Sequence, residues 1–118
     1  MNDINRVELR GKVINQPMYR ESKNGGMWLT FSLSTTLPEG IEIGLDKDTK
    51  TTFSQVAVFK QSLVAHAMEQ GLKAGDRVWL VGRIMTKRTQ RNGMNIAYTS
   101  IAAYELEVLQ KNENKQIN

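Results

Sequence analysis

Thr51–Ile84 reads TTFSQVAVFKQSLVAHAMEQGLKAGDRVWLVGRI, and its periodicity changes twice along the way. Between Thr52 and Phe59 the residues alternate: Val56 and Val58 fall on one side, Phe53, Gln55, Ala57 and Phe59 on the other. A two-residue period is that of a strand. From Gln61 to Gln70 the spacing becomes helical, with Leu63, Val64, Ala67 and Met68 gathered on one face at i, i+3 and i+4. Gly71 is placed to end that helix in a left-handed cap, and Lys73-Ala74-Gly75-Asp76 turns the chain into a new extended segment. There Val78, Leu80, Gly82 and Ile84 point inward and alternate with Trp79, Val81 and Arg83. The strand Thr52–Phe59, third in the chain, carries apolar groups on both faces, so its outward rings need a purpose beyond the core.

The same alternation recurs on either side. In Arg6–Val13 the inward set is Val7, Leu9, Gly11 and Val13, facing away from Arg6, Glu8, Arg10 and Lys12. In Met27–Thr35 the set Met27, Leu29, Phe31 and Leu33 points inward, and Trp28, Thr30, Ser32 and Ser34 point outward. Gly25-Gly26 opens the hairpin before this second strand. Asn92-Gly93 signals a tight turn, because both positions tolerate positive φ. A fifth strand runs from Ile96 to Leu109, with a bend at Ala102 and Ala103. Five strands, with one short helix between the third and fourth, are the element order of an all-β fold: the OB-fold, a five-stranded Greek-key barrel whose helix plugs one end. Gly11 and Gly82, both inward, suit the sharp bends of a small barrel.

A chain of 118 residues is one domain with a single core, assigned to residues 1–110, with 111–118 (KNENKQIN) as a short, frayed polar tail. The absence of cysteine excludes a disulfide framework, a thiolate metal site and a cysteine nucleophile. No apolar run is long enough for a signal peptide or membrane helix, so the expected location is cytoplasmic and no membrane partner is expected. The lone histidine, His66, sits in the helix with no carboxylate at ligand spacing, and Asp46-Lys47-Asp48 continues into threonines rather than a calcium loop. No enzyme, metal or cofactor is therefore expected. The net charge of +4 favours a polyanionic partner. Its placement is more telling than its size. Between Arg77 and Tyr104 there is no acidic residue, while Arg77, Arg83, Lys87, Arg88 and Arg91 all fall within that run. A one-signed hairpin is what a phosphate-tracking groove requires, although a merely solvated hairpin would look the same. The acids Glu39, Glu42, Asp46 and Asp48 collect in the loop after the second strand.

Asn5, Val7, Leu9, Gly11, Val13 and Pro17, then Gly25, Gly26, Phe31, Leu33 and Thr35, then Val56, Val58, Phe59, Leu72, Gly75, Val78, Gly82 and Ile84 stand in a characteristic order and spacing. Through them the chain resembles the bacterial single-stranded DNA-binding protein family over roughly residues 5–109. The resemblance implies a protein that coats and protects single-stranded DNA, without reading sequence, during replication, recombination or repair. It implies Phe53 and Phe59 as base-stacking rings, Phe59 being identical to the family's residue and Phe53 a ring-preserving substitution. Trp28 is a further candidate for the strand, with a subunit interface as its other reading. Arg10, Lys12, Arg20, Arg83, Lys87, Arg88 and Arg91 are the candidate phosphate contacts. Trp79, Val81, Asn5 and Val7 are assigned to an oligomer interface, in a homotetramer or otherwise a dimer.

The sequence also departs from the family. Thr89 stands where relatives place a tryptophan, Glu39 falls near another such site, and Glu21 replaces a common aromatic. The family's acidic C-terminal tip has no counterpart in KNENKQIN, so any replication or repair partner is expected to bind elsewhere. Two other readings stay open: an accessory module of primosomal type that bridges single-stranded DNA and replication proteins, and an OB-fold used only for protein contacts.

Overall fold

The computed structural model describes residues 1–41 and 50–113; Glu42, Asp46 and Asp48 of the acidic loop, and residues 114–118, lie outside the described residues. The strands are β1 (Val7–Val13), β2 (Met18–Glu21), β3 (Met27–Thr36), β4 (Thr51–Val58), β5 (Arg77–Arg91) and β6 (Met94–Gln110), with helix α1 (Gln61–Gln70) between β4 and β5. They form one sheet in the order β1-β5-β6-β4-β3-β2, and a further β1–β3 pairing closes it. Among the described residues only β4 and β6 pair in parallel, Val56 opposite Ile101 and Val58 opposite Ala103. This is the OB-fold barrel, with β1, β3, β4, β5 and β6 as its staves.

The sixth strand, β2, was not expected. Met18–Glu21 is only four residues long and mostly exposed, too short for an alternating pattern to stand out. It forms through β3 alone, with Arg20 opposite Trp28 and Glu21 opposite Met27.

Closure depends on two glycines. Near Gly11, β1 passes from β5 to β3, since Lys12 pairs with both Arg77 and Ser34. A Cβ on Gly11 would lie 2.0 Å from the Ser34 carbonyl oxygen, and one on Gly82 would lie 2.4 Å from that of Ala102. Only glycine lets the backbones approach so closely. Within the barrel, Val13, Leu29, Phe31, Leu33, Val56, Val58, Val78 and Leu80 are sealed from solvent, and Val64, Ala67 and Leu72 cover one end. Gly71 ends α1 at φ 63°, ψ 45°, its N–H returning to Met68, the expected left-handed cap.

Several sequence expectations are corrected. Met68 is exposed, because the helix lies over the barrel end on Val64 and Ala67, with Leu63 partly buried beside them. Ile84 is exposed as well: β5 and β6 continue past the barrel as a two-stranded arm, paired out to Arg91 and Met94. The arm turns at Asn92 and Gly93, with φ of 51° and 75°. Val81 was expected outward in an interface, yet it is 1% exposed in the single chain. It lies between Glu8 and Glu105 across the ladder, beside a register shift that leaves Tyr104 unpaired. Such a bulge re-aims neighbouring side chains, and it falls next to the bend expected at Ala102 and Ala103. Val7 packs against the core. Asn5 exchanges two 2.9 Å hydrogen bonds with the backbone of Ile84, donating through Nδ2 and accepting through Oδ1.

The start of the supposed tail is also anchored. The buried Asp76 carboxylate accepts hydrogen bonds from Lys111 Nζ at 2.5 Å and from the Asn112 N–H at 2.7 Å.

Candidate nucleic-acid interface

β3 and β4 meet in register, Thr30 opposite Ala57 on the outer side and Leu29 opposite Val58 within the core. This alternation brings Trp28 beside Phe59, just past the end of β4. Their rings stack with centroids 5.6 Å apart and planes 19° from parallel. Arg20, carried by the unexpected strand β2, places its Cζ 5.7 Å from the Trp28 ring centre on the cross-strand side. The result is a layered stack of guanidinium, indole and phenyl. The ring pair contributes about 0.5–1.5 kcal/mol beyond its buried area, and an exposed cation–π contact about 0.5–1 kcal/mol. Phe59 keeps 46% of its surface exposed, so ring area is left to meet a ligand.

Gln61 holds this arrangement, and the sequence reading did not identify it. Its Nε2 donates to Met27 O at 2.6 Å and to Phe59 O at 2.9 Å, and its Oε1 accepts the Met27 N–H at 3.0 Å. One amide at the start of α1 thereby ties the residue before Trp28 to the backbone of Phe59.

Across the sheet, the stack faces the base of the β5–β6 arm. A groove of about 310 Å³ is lined by Trp28 and Phe59 on one side and Met85, Lys87 and Tyr98 on the other, with Ala57 among its floor residues. Beside it a second groove, about 250 Å³, holds Phe53 against Thr99, Ser100 and Ile101. Gln55 borders both, and its Nε2 donates to Ser32 Oγ at 2.7 Å. Phe53 is 65% exposed. Lys87 pairs directly with Tyr98, Met85 with Ser100 and Arg83 with Ala102. Strand alternation therefore sets Arg83, Lys87 and Arg91 on the same face as the rings, and Arg88 on the reverse face of the arm.

The structure thus brings Arg20, Trp28, Phe53, Phe59, Arg83, Lys87 and Arg91 to one surface. Arg10 and Lys12 are not brought to it. Arg10 pairs with Trp79 and shares a hollow with it and Glu8, while Trp79 Nε1 donates to Glu8 Oε2 at 2.8 Å. Lys12 lines a larger groove of about 650 Å³ with Arg77 and Lys111. That groove has no aromatic wall, and Lys111 is already paired with Asp76, so size does not make it the better site. Tyr98 and Met85 join the surface without having been anticipated. Tyr19, on β2, packs against the core instead, and burial pushes its phenol pKa up. Among the described residues, no cluster of histidine, cysteine or carboxylate side chains could hold a metal ion, and no helix is long and apolar enough to cross a membrane.

The model of the single-strand binding protein family matches residues 4–109. The single-stranded DNA-binding proteins of Rickettsia felis and Rickettsia prowazekii are each 26% identical over 114 residues, covering 97% of this chain and 70% of theirs. Among solved structures, Plasmodium falciparum SSB in complex with ssDNA superposes with a TM-score of 0.75 at 24% identity, covering 93% of this chain and 98% of that one. The mitochondrial single-stranded DNA binding protein of S. cerevisiae gives 0.70 at 12% identity, covering 95% and 100%. The small single-stranded DNA-binding protein of Streptomyces coelicolor gives 0.65 at 26% identity, covering 92% and 95%. With the family model spanning all six strands up to Leu109, the chain belongs to the single-strand binding protein family.

Proposed function

We propose that this protein binds single-stranded DNA without reading its sequence, through the face built by the Arg20–Trp28–Phe59 stack, Phe53 and the inner side of the β5–β6 arm. It acts as a binding protein, not an enzyme. The observation that carries this reading is the stack itself: rings held in place by backbone hydrogen bonds, still partly exposed, beside a cationic arm. Bases stack on such rings at about 1–3 kcal/mol each whatever their identity, while basic residues follow the phosphates.

A single OB barrel covers about 4–16 nucleotides, so several barrels sharing one strand would gain effective concentration. This favours a homotetramer, or otherwise a dimer, with the half-exposed Trp79 available to an interface. The setting we assign is cytoplasmic, coating and protecting single strands during replication, recombination or repair.

The test is the affinity for a labelled oligothymidine at several salt concentrations, beside a duplex of equal length. Arg20, Arg83, Lys87 and Arg91 together should give a log–log salt slope of about −3, at about −0.7 per contact. Preference for the duplex, or a slope near zero, would overturn the proposal.

A further inference from the structure

The groove between the Trp28–Phe59 stack and the arm has an aromatic ring on each side. On the arm side stands Tyr98, 49% exposed and directly opposite Lys87 in the β5–β6 ladder. Met85 extends the same wall, and Ala57, itself buried, leaves the floor low. At about 310 Å³ the groove is at the small end of the roughly 300–1,000 Å³ typical of ligand pockets. Its lining is mostly apolar and includes one cation, Lys87, with no acid between Arg77 and Tyr104. A flat, uncharged group attached to an anionic backbone matches those features. On the arm itself, Thr89 is no platform for a base, since it has no ring to offer.

We propose that this groove is a slot for one unstacked nucleobase, clamped between Phe59 and Trp28 on one side and Tyr98 on the other, with Lys87 on the adjoining phosphate. Tyr98 is thereby the arm's stacking platform. The inference rests on the reading that this face meets single-stranded DNA, and it adds a residue and a subsite to that face. The ring of Tyr98 does the work; its hydroxyl is dispensable.

The experiment compares Tyr98→Ala, Tyr98→Phe and Phe59→Ala with the wild-type protein. Each is titrated with labelled oligothymidine and with an abasic oligomer of equal length, and the mass of each is measured by light scattering. Tyr98→Ala should weaken oligothymidine binding roughly 5- to 150-fold, the effect of one lost base–ring stack. Abasic binding and mass should be unchanged, and Tyr98→Phe should bind as wild type does. Oligothymidine affinity unchanged in Tyr98→Ala, an equal loss on the abasic oligomer, a fall in mass with the loss, or a loss in Tyr98→Phe as large as in Tyr98→Ala would each overturn the slot. Phe59→Ala separates the two levels. If it weakens binding and Tyr98→Ala does not, the slot fails and the face stands; if both are silent while the wild type binds, the face fails too.

Discussion

Replacing Lys111 with methionine should remove the clasp that holds the end of β6 to the barrel. Lys111 Nζ donates to the buried Asp76 carboxylate at 2.5 Å and to Gly71 O, at the cap of α1, at 2.7 Å. Asp76 also accepts the N–H groups of Lys73 at 3.0 Å and Asn112 at 2.7 Å, and its own carbonyl accepts the Val13 N–H at 2.8 Å. Asp76 thus joins the turn before β5 to the end of β6 through its carboxylate, and β1 through its backbone carbonyl. Removing the partner of a fully buried charge costs about 3–5 kcal/mol. Here the Lys111 side chain is 37% exposed and two backbone donors remain, so we expect about 2 kcal/mol. For a chain of this size that lowers Tm by about 8 °C, measured by circular dichroism at pH 7, with single-strand affinity unaltered.

The pH dependence follows from the same contacts. Burial alone would raise the Asp76 pKa, but the hydrogen bond from Lys111, those from the Asn112 and Lys73 N–H groups and the Lys111 charge together hold it below the usual carboxylate range. A native pKa below the unfolded value of about 3.9 means the stabilisation is present above that value and is lost as pH falls through it toward the native one. The gap between wild type and Lys111→Met should therefore close in acid. A Tm change under about 2 °C at neutral pH, or a gap that persists in acid, would refute this account of the clasp.

Gly82→Ala should destabilise the barrel by about 3 kcal/mol or more in chemical denaturation, because the added Cβ meets backbone at Ala102 rather than a movable side chain. Lys87→Ala and Arg91→Ala should each reduce the salt slope for oligothymidine by about 0.7, whereas Arg10→Ala should leave it unchanged, since Arg10 lies with Trp79 and Glu8 away from the rings. Phe53→Ala should weaken binding by about 1–3 kcal/mol at constant stability, checked by titration beside thermal melts, because its ring is exposed.

Much of this could be read from the residues. Val56 and Val58 against Phe53 and Phe59 announce a strand with two purposes, and Gly11 and Gly82 mark where the barrel bends. Asn92-Gly93 fixes the hairpin register, and stepping back from Arg91 and Met94 would already have set Lys87 opposite Tyr98. Other features exist only through tertiary contact. β2 is a strand because β3 offers it an edge, and through β2 Arg20 reaches Trp28. Gln61 carries no motif; its amide matters because the chain folds Met27 and Phe59 to the same point. Alternation does not predict the burial of Val81, since a bulge in the β5–β6 ladder interrupts it. Lys111 and Asn112 look like solvated tail until a buried Asp76 gives them a partner.

The central claim is that single strands lie across Trp28 and Phe59, and tryptophan fluorescence can test it directly. The chain has two tryptophans, and Trp79 lies apart from the rings with its indole N–H on Glu8. In a Trp79→Phe protein, Trp28 is therefore the sole reporter. Titration with oligothymidine should quench its emission in proportion to binding followed independently by anisotropy of a labelled oligomer, and added salt should reverse both together. Full binding by anisotropy with Trp28 emission unchanged would place the strand elsewhere on the barrel and contradict the claim.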